Sequence, residues 1–202
     1  MKLLSLFLCF LFLTACSVEE SENATPQEVK FEINAASSAG KLLSPTAIPC
    51  QTSDLIAGQN IVVGTVDVYM DAFSLSIVYN TIPGWNLDET HMSIGDCTSD
   101  IPTTGSGNPK VGHFEYSAVH TSGTTVVTYT TDSTSLAFET CIAAHAVVTS
   151  STGQNETAWG AGLGFPGRAW ATYIELDTLS CTSSPKDPND PLGVATPAIQ
   201  HS

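Results

Sequence analysis

The sequence predicts an all-β chain: an antiparallel β-sandwich of about seven to nine strands carrying two disulfides. Three observations carry that prediction. Apolar and polar residues alternate with period two between about residues 46 and 182, and Gly, Pro, Asn and Asp punctuate them at short intervals. No long stretch shows a helical period. Four cysteines, Cys50, Cys97, Cys141 and Cys181, lie within the patterned region. Short strands joined by short turns build sandwiches, with a small barrel as the competing architecture.

The elements follow in order. VKFEI (29–33) alternates weakly and reads as an edge strand. NIVVGTVDVYMD (60–71) places Val62, Val66 and Val68 in a strand, and FSLSIVYNTI (73–82) follows a tight connection, so the two form a hairpin. LDETHMSIG (87–95) sets Glu89, His91 and Ser93 against Thr90, Met92 and Ile94. DIPTTGSGNPKVG (100–112) is too poor in apolar residues to be an element. HFEYSAVH (113–120) and TTVVTYTT (124–131) flank Ser122-Gly123, which predicts a second hairpin. SLAFETC (135–141) suggests a short turn of helix, and IAAHAVVTS (142–150) and WATYIELDTLS (170–180) complete the strands. Residues 183–202 hold prolines and little to bury, and read as a disordered tail. The Asp187/Asp190 pair in that tail reads as a solvated turn rather than a cation site.

The chain opens MKLLSLFLCFLFLTAC. Lys2, an apolar run from Leu3 to Leu13 and a small residue have the layout of a secretory signal over residues 1–15. The run is shorter than the roughly 20 apolar residues of a membrane-spanning helix. Leu13-Thr14-Ala15-Cys16 resembles a bacterial lipobox. That resemblance implies that the signal is removed before Cys16, that this thiol is acylated, and that residues 16–45 form a lipidated tether. Acyl chains contribute about 0.8 kcal/mol per buried methylene, so two or three hold a soluble domain on a membrane. Ser17, in place of aspartate, argues against inner-membrane retention, and Glu19-Glu20 resembles the surface-export signal of Bacteroidota lipoproteins. The implied location is the outer membrane, lipid-anchored, at the cell surface. The other reading is an ordinary secretion signal with an incidental cysteine.

The full chain has 6 basic and 20 acidic residues, a net charge of −14; without residues 1–15 it keeps five basic against twenty acidic, or −15. Such a surface repels phosphate backbones, which argues against nucleic acid as a partner. With Cys9 in the signal and Cys16 on lipid, four cysteines remain and read as two disulfides with three open connectivities. No pair has the C-x-x-C spacing of zinc or redox sites. Terminal strands of sandwiches are often neighbours, which favours Cys50 with Cys181 and leaves Cys97 with Cys141. That leaves no free thiol for cysteine catalysis.

DETHMSIGD (88–96) and IAAHAVV…NETAWGAGLGFPGRAWATYIE (142–175), together with IVVGTVDV, resemble an uncharacterised domain of bacterial secreted and surface proteins. Its marks are a Gly-rich hairpin near the start, a W-x-L-x-E-T-H strand, an A-A-H-A strand and a T-A-W…G-R-x-W-A-T-Y ending. The resemblance spans about Cys50 to Cys181, supports a sandwich domain over residues 46–182 and implies no activity.

Two groups of residues carry chemistry. Glu89 and His91 share a strand face, and His145 is a lone imidazole in a small apolar strand. Should the strands be neighbours, the three converge as ligands for a first-row metal or as a His–carboxylate base. The bland alternative is a buried His145 satisfied by one hydrogen bond. Around the glycines of 160–167 stand Trp159, Phe165, Arg168, Trp170 and Tyr173, which either stack on a sugar or plug the core. That glycine run has no following Lys-Ser/Thr and no helix, so it is not a nucleotide loop. Asp96 and Asp100 are weak candidates for Ca²⁺ without an Asp-x-Asp-x-Asp run, and Ser106 lacks a nucleophile elbow.

The preferred expectation is a non-enzymatic surface lipoprotein that binds a glycan or another envelope protein, or serves structurally, through loops around 100–112 and 153–168. The alternative is a metal-dependent hydrolase using Glu89, His91 and His145. A metal ion is the one cofactor the residues leave open.

Overall fold

The structure, a computed structural model, describes residues 30–36, 48–71, 73–131, 140–177 and Cys181. The signal, Cys16, the rest of the tether, most of the 135–141 stretch and the tail with Asp187 and Asp190 lie outside the described residues.

Eleven strands make one antiparallel sheet: β1 (Glu32–Ala36), β2 (Gln51–Ala57), β3 (Ile61–Met70), β4 (Leu75–Thr81), β5 (Trp85–Asp96), β6 (Tyr116–Val119), β7 (Val126–Thr131), β8 (Thr140–Ser150), β9 (Asn155–Gly160), β10 (Leu163–Gly164) and β11 (Thr172–Glu175). The order runs β1-β7-β4-β3-β2-β9-β8, with β5 and then β6 beyond β8. β11 takes the place of β9 beside Cys141 and Ile142 near the start of β8, and β10 pairs with β11. The sheet doubles back at the short β2–β9 pairing. Its two halves then face each other as a sandwich over one core that includes Leu55, Val66, Ile77, Tyr79, Tyr129, Ile142 and Val148.

Local chemistry explains the hairpins. Gly58 and Gln59 both take positive φ, 53° and 76°, and Asn60 N–H donates to the Ala57 carbonyl at 3.2 Å, which closes a tight turn within the three-residue connection between the paired Ala57 and Ile61. The β3–β4 turn is clamped by Asp71, whose carboxylate accepts from the Phe73 and Ser74 amides at 2.8 Å each. Strict alternation fails once in β3. The register against β2 shifts between Leu55 and Ile56, leaving Val63 without a partner, so Val63 is buried while Val62 is 47% exposed. This bulge needs Gly64, because a Cβ there would collide with the Asn80 carbonyl oxygen.

The expected second hairpin does not form. β6 pairs with β5, whereas β7 pairs with β4 and β1. Asp88 carbonyl accepts from His120 N–H, and Thr124 carbonyl accepts from Leu87 N–H, each at 2.8 Å. β5 thus grips both ends of the connection, and the chain crosses from one layer to the other instead of reversing. β2, β9 and β10 are strands that the sequence pattern did not assign, and the edge strand near VKFEI starts at Glu32.

Two buried tyrosines join the layers. Tyr79 Oη donates to the His91 carbonyl at 3.1 Å, and Tyr129 Oη lies 2.7 Å from Thr90 Oγ1 and 3.3 Å from its carbonyl. Burial raises Tyr79 well above the ordinary phenol value and pushes Tyr129 up to about 12, so both remain donors. The disulfides are Cys50–Cys181 and Cys97–Cys141, with Cα atoms 4.9 Å apart in each. The end-to-end pairing favoured from the sequence is the one formed. Among the described residues no helix is long and apolar enough to cross a membrane.

Candidate functional site

The alternation of β8 sends Ile142, Ala144, Ala146 and Val148 into the interlayer core and Cys141, Ala143 and His145 to the outer face. That outer face is nevertheless covered. Residues 97–114 and 161–171 fold across it, and Ile101, Phe114, Cys141, Ala143, Trp159, Phe165 and Ala171 close into a second apolar cluster. Trp159 is its hub, with ring centroids 6.3 Å from Phe114, 6.1 Å from Phe165 and 4.9 Å from His145.

The two covering loops are tied to each other. Gly167 N–H donates to the Gly107 carbonyl at 3.2 Å, and Ala169 N–H donates to Asn108 Oδ1 at 2.9 Å. Glycine is required at 167 because a Cβ would run into the Asn108 side chain. Within the first loop, Thr104 N–H and Asn108 carbonyl close a turn at 2.8 Å, and Thr103 and Pro109 form an isolated bridge. The Cys97–Cys141 disulfide fastens the base of this loop to β8.

The five aromatic and basic candidates divide. Trp159 and Phe165 are packed inward, 6% and 8% exposed, so their faces are committed to the cluster. Arg168 is exposed, and Trp170 and Tyr173 are half-buried at the rim. Leu163, half exposed, extends that rim along the β10 edge.

Glu89, His91 and His145 do come together. His91 stands opposite His145 in the β5–β8 register, their ring centroids are 5.4 Å apart, and Glu89 Oε2 is 3.3 Å from His91 Nε2. A bulge at Asp88 arranges this, since the register shift between Leu87 and Glu89 places Leu87 inward and Glu89 outward. His145 is only 7% exposed, and burial, assisted by repulsion from His91, lowers its pKa to about 4. It is therefore neutral at pH 7. Its Nδ1 has no hydrogen-bond partner, and neither does the buried Ser93 Oγ two residues along from His91 on the same face. Among the described residues, no group of three His, Cys, Asp or Glu is placed to hold a metal ion.

The other candidates have local occupations. Asp96 Oδ1 accepts from the Thr98 and Ser99 amides and hydroxyls, which holds its carboxyl below the usual range, Thr98 contributing most. Asp100 accepts from the Asp96 amide and the Ser99 hydroxyl. These carboxylates shape a turn. Ser106 Oγ lies near Thr104 Oγ1 and accepts from Asn108 Nδ2.

Sequence reasoning missed a second polar relay. His120 Nε2 lies 2.7 Å from Thr90 Oγ1, which in turn meets Tyr129 Oη, so a partly buried imidazole at the edge connects to the centre of the sandwich. Burial lowers the His120 pKa, although Asp88 and Glu89 oppose the shift. No motif marks it; only the crossing of His120–Thr125 over β5 brings these groups together. Comparison of the chain with family models, with curated proteins and with solved structures finds no match.

Proposed function

We propose that this chain is a lipid-anchored bacterial surface protein whose sandwich displays a preformed recognition face. The observation that carries this reading is the interlock of the loops around Gly107 and Gly167 over a packed aromatic floor. Loops already ordered before contact lose less conformational entropy on binding. The exposed side of the interlock offers Arg168, the rims of Trp170 and Tyr173, and the hydroxyls of Thr104 and Ser106. Aromatic edges beside neutral donors fit a glycan, and Arg168 fits an acidic group on that glycan or on an envelope protein. Trp159 and Phe165 serve as the floor. Export is supported by the two disulfides, which persist in oxidising compartments, and anchoring at Cys16 by the resemblance of Leu13–Cys16 to a lipobox.

The test is a glycan array and an envelope-protein pull-down with the purified protein and its Arg168→Ala/Trp170→Ala variant. The reading predicts a specific ligand whose affinity falls at least about tenfold in the variant, with unfolding unchanged. Silence of the wild-type protein in both assays counts against it. Intact-mass analysis tests the anchor separately.

A metal-dependent hydrolase is the second reading. It is favoured by the Glu89–His91–His145 convergence and the unpartnered His145 Nδ1. It lacks a third well-placed ligand among the described residues. Stoichiometric zinc, copper or iron in the protein purified without chelator would promote it over the binding module.

A further inference from the structure

Among the described residues, the strand registers sort the tight turns and the points of chain entry to one of two ends of the sandwich. At the first end lie the Asp71–Ser74 turn, because Met70 pairs with Leu75, and the start of β1, because Glu32 pairs with Thr130 beside Ser76. Gln51 pairs with Val68 and Cys50 N–H donates to the Val68 carbonyl, so Ile48, Cys50 and the Cys50–Cys181 disulfide are there too. The described chain therefore enters at Lys30, enters again at Ile48 and reaches Cys181, all at this end. The turns at 58–60, 82–84 and 151–154 occupy the opposite end.

Large apolar side chains are exposed unevenly. The three most exposed among the described residues are Phe73 and Val119, each 80%, and Ile48, 64%. Two of the three are at the end where the chain enters. Phe73 is also held in place: Asp71 accepts from its amide and from the Ser74 amide and hydroxyl, so the hairpin tip presents the ring on a fixed turn. The opposite end exposes Ile61, Val62 and Ile82, each less than half.

We infer that the entry end of the sandwich rests on the lipid surface, with Phe73 and Ile48 seated at the headgroup boundary as a second contact beside the acyl anchor. This rests on the lipid-anchor reading above. The occupant is argued from where the chain enters: a tether arriving at Lys30 keeps this end nearest the membrane. A tethered contact needs little affinity of its own, because the tether supplies a high effective concentration. Glu32, Asp71, Asp96, Glu175 and Asp177 lie at this end, so the surface it favours is zwitterionic rather than anionic. The pose turns the opposite end outward; the 97–114 loop starts at the entry end, and its Gly107 contact with Gly167 lies on the flank over β8 and β9.

The experiment places a tryptophan at Phe73 in the full-length acylated protein, reconstituted in phosphatidylcholine vesicles with brominated acyl chains. Val119→Trp, a position of equal exposure on edge strand β6, is the comparison, and emission of the native tryptophans is subtracted. The inference predicts that the Phe73→Trp signal is blue-shifted and loses most of its intensity to bromine, while the Val119→Trp signal does neither. Equal and negligible quenching at both positions, in protein that floats with the vesicles and carries acyl mass on Cys16, overturns the pose and leaves the anchor standing. Absence of acyl mass and of flotation overturns both.

Discussion

The two apolar clusters of this domain are built from different material. The interlayer core is made of alternate residues on regular strands, and the hydroxyls of Tyr79, Tyr129 and Thr90 within it all have partners. The outer cluster combines the far side of β8 and β9 with loop residues Ile101, Phe114 and Phe165. It leans on a disulfide, on an asparagine side chain and on glycine contacts, and beside it lie two of the three unpartnered buried side-chain atoms among the described residues, Ser93 Oγ and His145 Nδ1, the third being Thr128 Oγ1 on β7. The contrast teaches that the sandwich is self-supporting, whereas the loop face is fastened on. Sensitivity to acidity should therefore concentrate in the second cluster, whereas each cluster answers to its own disulfide, the sandwich globally and the loop face locally.

The largest test of that division is covalent. Loop-entropy arguments assign about 5 kcal/mol to Cys50–Cys181, with a separation of 131 residues, and about 4 kcal/mol to Cys97–Cys141, with 44. Urea unfolding of the two Cys→Ser pairs should show the first loss as global. The second should appear largely as loosening of residues 97–114 with the sandwich retained. Next come truncations. Leu55→Ala should cost about 2–5 kcal/mol and Trp159→Ala about 3–5 kcal/mol. Circular dichroism against limited proteolysis sharpens the comparison, since Trp159→Ala should open the loops to protease at temperatures where the strands remain folded.

Acid gives a smaller effect with a defined sign. The folded pKa of His145 is about 4, below the ordinary 6.5, so the unfolded chain binds the proton first as pH falls. Stability is complete above about 6.5, declines through the window to about 4 and is flat for this group below it. The full loss is on the order of 3 kcal/mol at 1.36 kcal/mol per pH unit. His120 is lowered too and adds loss of the same sign. Urea midpoints at pH 7 and pH 4 should differ less for His145→Leu than for the wild type; equal differences would place the acid sensitivity elsewhere. The smallest prediction concerns the well-satisfied core. Tyr129→Phe should cost about 1–2 kcal/mol by removing the buried hydroxyl that meets Thr90 Oγ1 and its carbonyl, measured by the same unfolding curves.

The sandwich class and the disulfide pairing were legible because period-two burial and the placement of cysteines at the ends of a patterned region are local signals. Glu89, His91 and His145 were legible as neighbours for the same reason, since β5 and β8 carry clear outward faces. Val63 was not, because a bulge shifts the phase of β3 and only the partner strand reveals it. β2 escaped notice since QTSDLIA is half polar and its Gly-Gln turn is an unusual pair for two positive φ angles. The β6–β7 crossing was illegible because a Ser-Gly turn signals reversal in direction without saying which strand the chain meets next. The inward packing of Trp159 depended on loops 97–114 and 161–171 meeting, a contact across some 60 residues that no window of sequence contains.

Native-state hydrogen exchange tests the preformed loop face most directly. The amides of Thr104, Lys110, Phe165, Gly167 and Ala169 should be protected together in the intact protein. They should lose protection together in the Cys97→Ser/Cys141→Ser variant, while Val66 and Ile77 keep theirs. Exchange of those loop amides at the free-peptide rate with the disulfide intact would contradict the account.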